Sequence, residues 1–344
     1  MYTLVEQSSH PAISVLMTAY NSELFIRKAI QSVLDQTFSD FELIVYNDGS
    51  TDRTVAVVKE FADPRIRLLS SEKNRGVTYA RQTTLSLAKG KYVAILDSDD
   101  IAFPTRLEKQ YKFLETHPDV KLCGGNAVVI DEKGNHIVET LIPFYRPEEL
   151  KVKLFFNNIF VNSTVMYRRE EVLSLGGYRD RVLAEDYDLF VRLANLYEIY
   201  ILTEEFLVYY RLHSNNISQT KRNKIIEEVR EIKREQLAFV GIRNIELYLP
   251  SIEALTSRQF RNQSIEDFYG LLVELKQANL KTRKLPQKIF EKELFSFWYS
   301  IVTSTMPKNK RVSYLLRKEL FRVSFTSFKQ KRRIFKFWLR SLFS

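Results

Sequence analysis

Between residues 12 and 100, short apolar runs rich in β-branched side chains alternate with segments whose apolar residues recur at helical spacing. That alternation predicts an α/β domain around a largely parallel sheet. Its expected strands are Ile13–Met17, Phe41–Tyr46, Ile66–Leu69 and Tyr92–Leu96. Ser22 is placed to cap a helix whose apolar positions Phe25, Ile26, Ala29, Ile30, Val33 and Leu34 share one side, and further helices are predicted over Arg53–Phe61 and Val77–Ala88. Another should start near Pro104, and the next strand, Lys121–Ile130, should turn at Asp131-Glu-Lys-Gly134.

After that turn the alternation lapses. We expect a strand in Phe160–Tyr167, a helix over Glu185–Leu196 that partly buries Leu189, Val191, Leu193 and Leu196, and a closing strand over Phe206–Arg211. Beyond a boundary near Ser218 the pattern turns helical, with Ile225, Ile226, Val229, Ile232 and Leu237 in one stripe. Ser264-Ile-Glu-Asp267 reads as a capping box before Phe268, Leu271, Leu272 and Leu275, and Gln287–Thr303 is rich in Phe around Trp298.

Composition changes this picture at two points. With 344 residues and 45% hydrophobic content, the chain can bury one large or two modest cores. Its formal net charge of +10 belongs to the end of the chain, because residues 307–344 hold twelve basic side chains against Glu319 alone. Charge so concentrated points to an acidic surface met by one segment and not to a nucleic-acid-binding body. Cys123 is the only cysteine, so no intrachain disulfide can form, and burial as apolar filler is its expected role. Met1 to His10 lacks the pattern of a secretory leader, and no run reaches the roughly 18 apolar residues of a membrane-spanning helix. The expectation is a protein neither secreted nor membrane-spanning.

The chemistry-bearing residues cluster where strands end. Lys91-Tyr-Val-Ala-Ile-Leu-Asp-Ser-Asp-Asp100 runs an apolar strand into three carboxylates, which repel one another unless a cation joins them. Hard oxygen ligands suit Mg²⁺ or Mn²⁺ and leave positions for substrate phosphates, although a lone Asp-x-Asp can equally be a solvated turn. Two further signatures are Asn47-Asp-Gly-Ser-Thr-Asp52 after an earlier strand and Glu185-Asp-Tyr-Asp188 later. In open α/β sheets, ligands bind beyond the carboxyl ends of the strands, where Thr18, Asp48 and Asp97 to Asp100 fall.

Together with Thr18-Ala-Tyr-Asn21 and Gly176-Gly-Tyr178, these segments follow the order of the glycosyltransferase family 2 enzymes, and the chain resembles that family. The resemblance covers residues 12–217. It implies a GT-A catalytic domain, Rossmann-like with a mostly parallel sheet, followed by an α-helical C-terminal extension over 218–344 with a basic amphipathic end. It also implies an inverting, metal-dependent transfer of a sugar from a nucleotide-sugar donor, UDP-linked by expectation, to a glycan or lipid-linked acceptor in bacterial surface polysaccharide assembly. Thr18, Tyr20, Asp48, Arg75, Arg81, Asp97 and Ser98 would then contact the donor, with Asp48 accepting from a pyrimidine N–H. Asp97, Asp99 and His213 would hold Mn²⁺ or Mg²⁺. Asp186 would be the general base, beside Glu185, its proton affinity raised by desolvation and by Glu185 and Asp188.

Each assignment has a plainer alternative. Asn47-Asp48-Gly49 can be an Asx turn, Arg81 can pair with a neighbouring carboxylate, Asp100 can cap the following helix, and Glu185 and Asp186 can complement a helix dipole. Gln82-Thr83 also stands where many family members have Asn after the Arg. A nucleotidyltransferase would need similar carboxylates but usually adds a Gly-rich phosphate loop, which is missing; a non-catalytic, membrane-associated subunit with a transferase-like fold is the third reading. Lys329 to Ser344 can form a helix with Ile334, Phe335, Trp338, Leu339, Leu342 and Phe343 on one side and Arg333, Lys336 and Arg340 largely opposite. That pattern fits an interfacial helix on an anionic membrane, which would put a cytoplasmic protein peripherally on the inner face of the cytoplasmic membrane; docking on the protein's own core is the alternative. Residues 144–162 read as a loop that would set acceptor choice.

Overall fold

The computed structural model describes residues 10–180, 183–214, 216, 220–307, 310–317 and 319–341. Two compact units divide the chain. One combines residues 1–150 with 158–228, and the other combines residues 151–157 with 229–344. The boundary expected near Ser218 falls outside the described residues, as does most of the Met1 to His10 stretch.

The first unit is built on β1 (Ile13–Ala19), β2 (Phe41–Asn47), β3 (Ile66–Ser70), β4 (Tyr92–Ile95), β5 (Ile101–Ala102), β6 (Val120–Ile130), β7 (His136–Glu139), β8 (Met166–Arg168) and β9 (Glu198–Arg211). These described strands form one sheet in the order β3-β2-β1-β4-β8-β6-β9-β5, with β7 paired to β6. Parallel pairing joins β3, β2, β1 and β4, whereas β8 runs antiparallel to both β4 and β6. β1, β2 and β4 are almost wholly buried, as continuous apolar runs covered on both faces must be. The helices that cover them include α1 (Ile26–Leu34), α2 (Thr54–Lys59), α3 (Val77–Leu87) and α4 (Arg106–Thr116). The 3-2-1-4 order puts the carboxyl ends of β1, β2 and β4 side by side.

Several local expectations give way to tertiary contacts. Ser22 does not cap α1, since its hydroxyl meets that of Ser98 at 2.8 Å and its backbone N–H donates to Thr54 Oγ1. Of the segment expected as the strand Phe160–Tyr167, only Met166 and Tyr167 fall in the short β8, and a 3-10 turn, Asn162–Thr164, precedes it. The closing strand starts earlier than expected, at Glu198, because β9 pairs with β6 along nearly its whole length. After α5 (Pro147–Phe156) and α6 (Arg169–Ser174), α7 (Glu185–Leu196) has the expected bounds but leaves Leu196 exposed. Cys123 is buried, as an apolar filler would be, and the turn after β6 closes with Gly134 N–H donating to Asp131 O.

The second unit is helical: α8 (Arg222–Phe239, from its Val229 onward), α9 (Ile245–Thr256), α10 (Ile265–Thr282), α11 (Gln287–Thr305), α12 (Arg311–Leu315) and α13 (Phe328–Ser341). Ile232 and Leu237 are buried as the stripe predicts, but Ile226 is half exposed. The Ser264–Asp267 capping box forms as expected, the Asp267 N–H donating to Ser264 Oγ at 3.0 Å. Phe268, Leu271, Leu272, Leu275, Phe290 and Trp298 share one buried core, and Trp298 Nε1 donates to Tyr314 O. The apolar side expected on α13 is divided. Ile334 and Phe337 pack on this core, while Phe335 and Trp338 stay partly exposed with their rings 5.7 Å apart. Leu342, Phe343 and the side chains of Leu339 and Arg340 lie outside what the structure describes. No described helix is long and apolar enough to cross a membrane.

Candidate active site

The loops after β1 and β2 are sewn to each other. Asn21, at a positive φ of 49°, accepts from the Thr51 N–H through its side chain, and its own N–H donates to Ser50 Oγ. Gly49 is required here: its φ is 73°, and a Cβ would stand 2.5 Å from the Lys73 carbonyl carbon. Asn47, not Asp48, closes the turn by accepting from the Ser50 N–H. The buried Asp48 carboxylate instead takes the N–H groups of Arg75 and Gly76, one on each oxygen, both at 2.8 Å. Asp48 therefore anchors the loop that leads into α3. Each oxygen still has a lone pair with which it could accept from a base. Thr18 is half-buried and Tyr20 exposed at this edge, while Arg75 lies over the Tyr79 ring and bonds its hydroxyl.

After β4 the three carboxylates part company. Asp97 pairs with Arg81 at 3.0 Å, accepts from Asn162 Nδ2 at 3.1 Å, and its N–H donates to Ser163 Oγ. Asp99 turns to His213, with Oδ2 and Nε2 2.9 Å apart, and Asn216 reaches the same oxygen. Asp100 is fully buried and accepts from the Arg211 N–H at 2.8 Å. The alternative in which it caps the following helix is not met, because α4 begins only at Arg106, after Thr105. Burial, then Asp99 and Asp97, pushes its carboxyl well above the usual range, with Ser163 and the Arg211 N–H acting the other way.

Of the expected metal set, Asp99 and His213 come together, and Asp97 is engaged elsewhere. Among the described residues no group of three His, Cys, Asp or Glu side chains is arranged to hold an ion. The Asp99 and His213 side chains still offer an oxygen and a nitrogen donor from a partly open position, which fits a divalent ion completed by substrate oxygens and water.

Arg81 is the centre of the constellation. It is buried on α3, and its second terminal nitrogen stands 2.8 Å from Glu185 at the start of α7. The plainer reading of Arg81 is thus the observed one, with a consequence: one guanidinium joins the carboxylate after β4 to the acidic start of α7. Burial alone would lower its pKa, but Glu185 and then Asp97 hold it above the ordinary arginine value. Burial pushes the Glu185 carboxyl up to about 7 against the opposing Arg81, with Asp186 and Asp97 adding to the rise.

Asp186 sits beside this pair. Its Oδ2 accepts from Asn158 Nδ2 at 3.3 Å and its Oδ1 from the Tyr187 N–H. Its pKa is raised chiefly by burial, with Arg81 opposing and Asp97 contributing. The expected contribution of Asp188 is corrected, because that carboxylate is neutralised by Arg192 at 2.8 Å and Arg179 at 3.6 Å. Gln82, which departs from the family pattern, accepts from the Tyr178 N–H and lies against Gly177, where a Cβ would come within 2.3 Å of Oε1. Sequence reasoning missed Asn158, Asn162, Ser163 and Arg211. The polar run Asn157-Asn158 and Asn162-Ser163 inside an otherwise apolar stretch was the available signal.

The profile of the family described as "Glycosyl transferase family 2" matches residues 14–174. A glycosyltransferase of Methanocaldococcus jannaschii, itself uncharacterised, is 34% identical over 229 residues, which is 64% of this chain and 79% of the relative. The chain belongs to glycosyltransferase family 2. Membership makes it an enzyme and sets aside the nucleotidyltransferase and non-catalytic readings. The Escherichia coli protein named UDP-Glc:alpha-D-GlcNAc-diphosphoundecaprenol beta-1,3-glucosyltransferase WfgD is 32% identical over 224 residues, covering 65% of this glycosyltransferase and 83% of WfgD. Among solved structures, S. aureus TarS 1-349 in complex with UDP-GlcNAc aligns with a TM-score of 0.58 over 95% of this chain and 91% of TarS at 18% identity, a likeness of fold. The observed sheet and helical C-terminal region agree with the GT-A expectation.

Proposed function

We propose that this glycosyltransferase moves a sugar from a UDP-sugar to a glycan or lipid-linked glycan with inversion at the anomeric carbon, in bacterial surface polysaccharide assembly. The observation that carries this reading is the Arg81 bridge between Asp97 and Glu185, which links a donor-side carboxylate to the neighbourhood of the base. Thr18, Tyr20, Asp48, Arg75 and Ser98 line the donor side in this reading. WfgD's name supports the donor and the lipid-diphosphate acceptor.

Asp186 takes the proton of the acceptor hydroxyl as that oxygen forms its bond to the anomeric carbon. The bond from that carbon to the diphosphate breaks, and its electron pair leaves with the nucleoside diphosphate. Burial keeps Asp186 basic enough for this task, and Asn158 holds its second oxygen. Asp99 and His213 would hold the divalent ion, and their mixed donor set favours Mn²⁺ over Mg²⁺. When bound, the ion supplies positive charge to the departing diphosphate. Phe335 and Trp338, exposed on a helix crowded with cations, support peripheral attachment to an anionic membrane on its cytoplasmic face.

Asp186→Asn tests the assignment. Turnover should fall about 10²–10⁴-fold, the usual worth of a general base, with donor affinity by calorimetry unchanged. Lost donor affinity would make Asp186 a binding or folding residue instead.

A further inference from the structure

One short segment between α5 and β8 supplies side-chain amides to both Asp97 and the proposed base. Asn162 Nδ2 donates to Asp97, and Asn158 Nδ2 lies 3.3 Å from Asp186 Oδ2. Among the described residues, Asn158 is the donor to that oxygen, the Tyr187 N–H being taken by Oδ1. The Asn158 amide cannot turn over, because its Oδ1 accepts from the Phe160 N–H at 3.0 Å and an NH₂ group could not. Phe160 in turn is buried, with its ring 5.4 Å from that of Phe190 on α7. Phe190 stands at i+4 from Asp186, so the two are neighbours on that helix. The loop that carries Asn158 is thereby braced against the helix that carries the base. Asn158 is exposed and Asp186 half-buried, which puts their contact on the solvent-facing side of the carboxylate.

We infer that Asn158 is a positioning residue for the transfer, a braced amide donor that keeps the Asp186 carboxylate aimed and charged as the acceptor hydroxyl approaches. The inference rests on the reading of Asp186 as base and deepens it. A donor to the charged form of a carboxylate favours that form, whereas burial and Asp97 disfavour it here. Among the described residues, the other titratable or charged groups acting on Asp186 are Arg81 on α3, Tyr178 ahead of α7 and Glu185 on α7 itself. Arg81 favours the charged form but is paired with Asp97 and Glu185, so it acts on Asp186 through space. Asn158 bonds the carboxylate directly.

Carbon NMR of full-length protein labelled at its aspartate carboxyls follows the titration of Asp186 directly, its signal being the one lost in Asp186→Asn. Asn158→Ser keeps an oxygen for the Phe160 N–H but removes the amide donor, so the Asp186 midpoint should rise by about half to one pH unit. Asn158→Asp has the shape of the wild type but sets a second carboxylate beside the base, and should raise the midpoint further. With UDP-glucose as donor and water as acceptor, the acid limb of kcat for UDP release should move up with the midpoint in both variants, with KM for UDP-glucose and the melting temperature unchanged. A midpoint that moves in neither variant would overturn the inference and leave Asp186 standing as base. Turnover that falls in Asn158→Ser with midpoint and acid limb unmoved would also overturn it, making Asn158 an acceptor contact. Full turnover by Asp186→Asn would remove the base reading and this inference together.

Discussion

Two buried cations, one in each unit of the molecule, are handled in opposite ways. Arg81 in the first unit lies between Asp97 and Glu185, and the two carboxylates keep it charged. Lys233 in the second donates to Phe156 O at 2.9 Å and to Thr256 Oγ1, with no carboxylate in contact among the described residues, and burial lowers its pKa to about 7 against a weaker opposing pull from Glu253. A guanidinium keeps its proton, so a buried one needs counter-charge, as at Arg81, or several neutral acceptors, as at Arg106, which donates to Gln110 Oε1 and to the carbonyls of Ile95 and Val165. A lysine can become neutral, so it can tie a helix end to a neighbouring hydroxyl without an acidic partner. The difference separates a constellation arranged for charge from a polar plug in an apolar bundle.

The first way to break the comparison is Arg81→Met, with the largest expected effect. Asp97 and Glu185 would be left without their counter-charge, which should cost about 3–5 kcal/mol in urea unfolding at pH 8. Because the Glu185 carboxyl already sits near 7, acidification should protonate it and return part of that loss at pH 5. A loss that is the same at both pH values would mean that the bridge contributes packing and not charge.

Lys233 sharpens the contrast through pH. Its folded pKa of about 7 lies below that of the unfolded chain, about 10.4, so between these values the unfolded chain binds the extra proton. The Lys233 contribution to stability should therefore rise as pH climbs from about 7 to about 10, by an amount on the order of a few kcal/mol, and stay flat below 7. The difference between wild type and Lys233→Met across that range measures it directly. A flat difference would show that Lys233 stays charged when buried.

How far each site could be read in advance follows from the reach of its contacts. The Ser264 cap was legible because donor and acceptor are three residues apart, and Ser264→Ala should cost about 1 kcal/mol, the smallest effect here, measurable by thermal melting. The strands of the parallel half were legible because continuous apolar runs end in Asn47, Asp48 and Asp97 at the edge where ligands bind. Ser22 obeys no such local rule, since Ser98, 76 residues away, takes its hydroxyl. Arg211 meets Asp100 across 111 residues and Asn162 meets Asp97 across 65, partnerships that a pattern read along the chain does not contain. The division of the α13 surface was equally hidden, because which of Ile334, Phe335, Phe337 and Trp338 is buried depends on the core that receives the helix.

The central claim is a single displacement with Asp186 as base, and the configuration of the product tests it most directly. With an α-linked UDP-sugar as donor, proton NMR of the purified product should give the anomeric coupling of a β-linkage. An α-linked product would contradict the account, since retention requires a different course of reaction at the anomeric carbon.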